Sequence, residues 1–255
     1  MQPLSRNPHP RPHQIMTTST TTDLTVANRT FFNDYAAEYD TKPWQKQITL
    51  QITNYIQQNL DFISIPKHSD PTTLLDYACG TGTISRALGP SVTSIQALDL
   101  SSKMVERFNE LAVSSEIPSV RKARAIEGNL LTDDELPVEL NGPEFHDFDV
   151  AAIGAGLHHF DDPAKAIGRL AERLRVGGVL LLVDFVDEGE HGRLPTGAEH
   201  TVRKHGFSEK EMKEMMEGHG LAGFGWKEMP ERLELKLRED ESVSRKGFLA
   251  RAEKV

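Results

Sequence analysis

A chain of 255 residues has room for one large α/β domain with trimmings or at most two small ones, and it can bury a full core. Its 29 basic and 38 acidic residues leave a formal charge of −9, which argues against a general nucleic-acid or anionic-membrane surface. A single cysteine, Cys79, precludes an intramolecular disulfide framework, and no run approaches the ~18 apolar residues that a membrane span requires.

The expectation is therefore a soluble, cytoplasmic protein with no nucleic-acid partner. Residues 1–23 are rich in Pro, His, Ser and Thr, carry Arg6 and Arg11, and have no acid before Asp23. So little apolar surface cannot bury itself, so this stretch reads as a disordered tail ahead of one domain over 24–255. A mitochondrial transit peptide is the alternative, although Pro3, Pro8, Pro10 and Pro12 would spoil an amphipathic helix. No signal for oligomeric state is present.

Phe31, Phe32, Tyr35, Ala36 and Tyr39 recur at helical spacing and predict a helix over Val26–Tyr39. Pro43 and Trp44 open a second, with Ile48, Ile52, Tyr55, Ile56 and Leu60 on one face. A linker at Pro66–Pro71 leads into Leu74-Leu75-Asp76-Tyr77, an apolar run that ends on an acid and breaks into Ala78-Cys79-Gly80-Thr81-Gly82 before a helical pattern starts. That is a strand, a tight turn and a helix N-terminus, where glycines let backbone N–H groups approach a ligand. The next apolar run closes on Asp99, 17 residues beyond Gly82, and a carboxylate at a neighbouring strand tip can accept both hydroxyls of a ribose.

Ser101 is a helix cap signal, followed by an inward face of Met104, Val105, Phe108 and Leu111. A third strand surrounds Ala125–Glu127 and ends in Gly128-Asn129-Leu130; Thr132–His146 reads as an irregular surface excursion. A fourth strand, Phe148–Ile153, ends in Gly154-Ala155-Gly156, and Leu157-His158-His159-Phe160 follows. Asp162-Pro163 starts a helix for which Gly177-Gly178 is the stop signal. Val179–Val186 is a continuous apolar strand, as a parallel sheet covered on both faces demands. Ser208 and Glu211 form a capping-box pattern over a Met212, Met215, Met216 core stripe, and two last strands, one at either Phe224–Met229 or Leu233–Leu237 and one at Gly247–Ala252, predict a closing antiparallel hairpin.

Two cofactor classes use such a turn. A dinucleotide fingerprint wants a third glycine or alanine three places after the second glycine, where Ser85 stands instead, and Asp76 ahead of the turn would repel a pyrophosphate. The segment Asp76-Tyr77-Ala78-Cys79-Gly80-Thr81-Gly82 with Asp99 instead resembles the class I S-adenosylmethionine-dependent methyltransferases, with Ala78 where a glycine is usual. The His158-His159-Phe160 and Asp162-Pro163 succession resembles the small-molecule branch of that family, including quinone methyltransferase types.

The resemblance implies a doubly wound, mainly parallel, seven-stranded Rossmann-like sheet with an N-terminal helical cap, and S-adenosyl-L-methionine as the donor to a small-molecule acceptor. It implies that Asp99 holds the ribose, that Leu100 next to it is also a cofactor-binding residue, that Gly80 and Gly82 admit the donor beside Ala78, and that Asp76 approaches its ammonium. It implies further that Met104 lies under the adenine, that Asn129 accepts from the adenine amino group with the Leu130 N–H on a ring nitrogen, and that Tyr39 covers the site. His158 and His159 fall beyond the carboxyl ends of the strands, near the transfer pocket, and a neutral imidazole, His158 by preference, can act as a base. No partner spacing makes the two a metal site. A protein acceptor and a non-catalytic regulatory subunit remain rival readings.

Overall fold

The computed structural model describes residues 21–66, 71–114, 116–118, 122–132, 135–189, 198–236 and 241–255. The expected N-terminal tail lies largely outside them. Helices α1 (Thr21–Tyr39), α2 (Pro43–Gln58) and the single turn α3 (Leu60–Ile63) precede the sheet. Then come β1 (Thr73–Tyr77), α4 (Thr83–Leu88), β2 (Ser94–Asp99), α5 (Ser102–Val113) and β3 (Lys122–Glu127). The second half runs α6 (Val138–Asn141), β4 (Phe148–Gly154), α7 (Pro163–Arg173), β5 (Leu174–Phe185), α8 (Glu209–Glu217), β6 (Leu221–Lys236) and β7 (Ser242–Lys254).

The strands form one seven-stranded sheet in the order β3-β2-β1-β4-β5-β7-β6, parallel from β3 to β5 and closed by the antiparallel β6–β7 hairpin. Successive side chains on a strand point to opposite faces. Leu74 and Leu181 accordingly enter one apolar cluster with Ile84 and Phe108, whereas Leu75 and Leu180 enter the other with Ile167 and Leu170. Both faces are therefore core, which is why β4 and β5 read as unbroken apolar runs.

The caps behave as their residue types dictate. Ser101 accepts from the Met104 N–H (3.1 Å), Asp162 from Lys165 (2.9 Å) and Ser208 from Glu211 (3.2 Å). Three expectations shift. Helix α7 ends at Arg173, and the glycines meant to stop it lie inside β5, Gly177 at φ +77°, beside the register shift at Phe148/Val150. Strand β6 is one long edge strand, with Pro230 at an irregularity where no ladder N–H is needed. The excursion after β3 buries Leu140 and Phe145 rather than lying loose.

Candidate active site

The order of strands reverses between β1 and β4, and open α/β sheets bind ligands beyond the carboxyl ends of the strands at such a point. The turn after β1 is built from left-handed residues, Ala78 (φ +55°), Gly80 (φ +51°) and Gly82 (φ +93°), and closes with the Gly82 N–H on the Cys79 carbonyl at 2.8 Å. The two glycines answer different needs. A Cβ on Gly82 would lie 2.8 Å from the Ile117 Cδ1 atom, while one on Gly80 would meet nothing within 4 Å and project into open space. Beneath the turn, Asp76 Oδ2 accepts from the Ser85 backbone N–H (3.1 Å) and hydroxyl (2.6 Å), tying α4 to β1. Burial pushes that carboxyl up to about 7, and its Oδ1 has no partner.

Asp99, at the tip of β2, accepts the Gly80 N–H through Oδ2 and the Ser101 N–H through Oδ1, each at 2.8 Å. A carboxylate has about four acceptor positions, so two remain for a ligand diol. Burial raises its pKa to about 6, against those backbone donors. At the tip of β3, the Asn129 carbonyl accepts from the Leu131 N–H (2.9 Å) and the Tyr77 hydroxyl (3.2 Å), and that hydroxyl in turn accepts the Leu130 N–H (3.1 Å). Both groups expected to read adenine are thus engaged internally by Tyr77, which carries no motif signal of its own. Tyr77 stacks on Phe160, ring centroids 5.6 Å apart.

The two histidines sit on a short 3-10 turn after β4, with ring centroids 4.1 Å apart. The His158 Nδ1 lies 2.8 Å from Asp184 Oδ1, and the other Asp184 oxygen accepts the His158 backbone N–H at 3.2 Å. An ionised carboxylate only accepts, so Nδ1 carries the proton and a neutral ring keeps its lone pair on Nε2. His159 donates Nδ1–H to the buried Thr201 carbonyl at 2.9 Å, and desolvation together with His158 holds its pKa well below the usual imidazole value. Asp184 is fully buried within β5 and was missed in the sequence, where the signal was an acid standing inside an otherwise apolar strand.

Helix α1 lies over these parts through polar clasps. Asn28 Nδ2 donates to the His159 carbonyl (3.3 Å), the Ser101 hydroxyl to Asn33 Oδ1 (2.7 Å), and the Thr81 hydroxyl to Asp40 Oδ1 (2.8 Å). Beneath it is a cavity of about 980 Å³. Its wall brings together Tyr39, Ala78, Gly80, Asp99 and Leu100 with Met104, Asn129, His158 and His159. Asp76, Gly82 and Leu130 do not reach it; they shape the wall from behind. Tyr39 is half-buried there, its hydroxyl pushed up to about 12 by desolvation and neighbouring Asp40. Among the described residues no cluster of three or more His, Cys, Asp or Glu could hold a metal, and His200 is exposed.

Such a cavity, near the upper end of the range for one bound small molecule, has room for two reactants end to end. A carboxylate with free acceptor positions, an open cradle at Gly80 and a non-reactive buried thiol at Cys79 fit a nucleoside donor lying along the turn. The comparisons agree. Residues 46–223 match a family model described as a methyltransferase domain. The chain belongs to that methyltransferase family. It is similar to an uncharacterized methyltransferase of Schizosaccharomyces pombe, 32% identical over 48% of this chain and 42% of that protein. It is also similar to the demethylmenaquinone methyltransferase of Leptospira interrogans, 29% identical over 60% and 54% of the two chains. The chain thus spans about half the length of the curated relatives it matches. In fold it resembles the magnesium protoporphyrin IX methyltransferase of Synechocystis, solved with its bound donor, at a TM-score of 0.61 and 15% identity over 93% of this chain and all of that one. It is likewise similar to the Haloferax volcanii putative methyltransferase solved with the Trm112 activator, TM-score 0.62 and 17% identity over 88% and 96% of the two chains. No described helix is long and apolar enough to cross a membrane.

Proposed function

We propose that this protein transfers the methyl group of S-adenosylmethionine to a nucleophile of a small molecule held under α1. The observation that carries the reading is that Asp99 and the bare Nε2 of His158, held by Asp184, line one and the same cavity. When bound, the donor supplies a methyl group already activated by a positively charged sulfur. Asp99 takes the ribose hydroxyls, Gly80 leaves space along the turn, and Met104 and Leu100 pack on the base. Asn129 meets the base with its amide NH₂, because its carbonyl is engaged. His158 then accepts the proton of the attacking group, while Asp184 fixes the tautomer and stabilises the imidazolium. Alignment of the reactants and exclusion of water account for the rest of the acceleration.

The roof formed by α1 residues and by Ala198 and Val202 supports a small acceptor over a polypeptide, and a cavity this large, unfilled by the side chains of the described residues, supports catalysis over a purely regulatory role. The test is incubation with donor and a metabolite extract, read by mass spectrometry for a donor-dependent gain of one methylene. His158→Gln should lower the rate ~100-fold or more with donor affinity within about threefold of the parent. An unaltered rate in that variant would remove His158 from the chemistry.

A further inference from the structure

The acceptor half of the cavity has a feature that a single general base does not require. Two imidazoles stand side by side, ring centroids 4.1 Å apart and planes 39° apart, and both line the cavity. Each has its Nδ1 committed to an acceptor in the protein, the Asp184 carboxylate at 2.8 Å and the Thr201 carbonyl at 2.9 Å. Each therefore offers the same thing to a ligand, the lone pair of Nε2. Burial keeps His159 neutral across the physiological range. Its position is fixed from three sides: by Thr201, by Phe32 edge-on at 5.1 Å, and by Asn28 from α1, which holds its backbone carbonyl. Phe31, Phe32, Trp44, Phe160 and Phe185 line the same cavity and supply aromatic faces to it.

Two adjacent, fixed acceptors that cannot donate call for two adjacent donors. We infer, building on the methyltransferase reading, that the methyl acceptor is an arene bearing two hydroxyl groups on neighbouring carbons, one facing His158 and the other read by His159. The hydroxyl at His158 reacts: its oxygen lone pair forms the new C–O bond as the C–S bond breaks, the sulfur keeps that electron pair and leaves as a neutral thioether, and the hydroxyl proton passes to His158 Nε2. His159 is then a specificity residue, because a ligand lacking the second hydroxyl leaves its buried Nε2 unpaired, and a site built to bond a hydroxyl rejects the analogue without it. The product, a monomethyl ether, has lost one of its two donors and binds less well than the substrate.

The test uses the full chain with donor and four probes: 2,3-dihydroxynaphthalene, 2-naphthol, 1,4-dihydroxynaphthalene and 2-naphthylamine. The 2,3-diol should be converted to its monomethyl ether with kcat/KM ~100-fold above 2-naphthol and above the 1,4-diol. His159→Phe keeps the ring packing but removes the acceptor, and should collapse the 2,3-diol to 2-naphthol ratio below about tenfold with donor affinity unchanged by calorimetry. Equal rates on 2-naphthol and the 2,3-diol, preference for the 1,4-diol or the amine, or an unchanged ratio in His159→Phe would overturn the inference. If none of the probes reacts while S-adenosylhomocysteine still binds, the inference fails and the methyltransferase reading stands; if the donor product does not bind at all, that reading fails with it.

Discussion

Asp99 commits one oxygen to the Gly80 N–H and the other to the Ser101 N–H, and the same enclosure that aims it at the cavity raises its pKa to about 6. Only the ionised form accepts from two hydroxyls at once. Affinity for S-adenosylhomocysteine should therefore hold above pH 7 and weaken roughly tenfold per unit as the pH drops below 6, whereas an ordinary exposed aspartate keeps its charge to about 4; calorimetry at a series of pH values reads this directly. Asp76 makes a different prediction. Its folded pKa, about 7, lies above the ~3.9 of an unfolded aspartate, so the native state binds the proton more tightly. The stability cost of burying it is full above pH 7 and is relieved as the pH falls from 7 toward 4. Asp76→Asn should flatten the dependence of melting temperature on pH between 5 and 8, while leaving the Ser85 bonds in place. Equal slopes in both proteins would mean that Asp76 is not titrating. At this scale the sequence was readable where chemistry is local: Asp76, Gly80 and Gly82 announce their turn within seven residues. Tyr77 and Asp184 were hidden because nothing near them in the chain tells which distant atom a hydroxyl or a carboxylate will meet.

Among the elements, α1 differs most from what surrounds it. Its described side chains include only two buried residues, Asn28 and Ala36, and polar clasps through Asn28 and Asn33, and through Asp40 just past its end, hold it to the domain beside the edge contact of Phe32 on His159. Hydrogen bonds of this kind contribute ~1 kcal/mol each, far less than an apolar helix face delivers. By contrast, α7 buries Ala166, Ile167, Leu170 and Ala171 against the sheet. Amide exchange should accordingly be at least tenfold faster in α1 than in α7 or β4, and should slow on addition of S-adenosylhomocysteine, as measured by hydrogen-exchange mass spectrometry. Uniform protection in both helices would refute the clasp account. The periodicity of Phe31, Phe32, Tyr35 and Tyr39 revealed this helix, yet not where it starts, because the residues ahead of Val26 are helical without an apolar face to show it. The end of α7 was misread for a related reason. Gly177-Gly178 is a valid turn signal, but β5 pairs with β4 and takes the glycines into its irregular start.

For the whole molecule, the two halves of the site differ in how far apart their residues lie. The residues proposed to hold the donor come from one continuous stretch, 76–104, plus the tip of β3, and stand in the sequence as a motif. The acceptor half gathers α1, the turn after β4, β5 and the segment 198–202, which meet only because the sheet order reverses between β1 and β4. No local pattern encodes that meeting. The central claim, that the crevice past β1 and β2 is shaped for this donor, is tested most directly by titrating the full chain and its Asp99→Ala variant with S-adenosylhomocysteine in a calorimeter at pH 7.5. The account predicts one-to-one binding to the parent and at least ~30-fold weaker binding to Asp99→Ala, a loss of about 2 kcal/mol, with the far-ultraviolet circular dichroism of the two proteins superimposable. No binding to the parent, or equal affinity for both proteins, would contradict it.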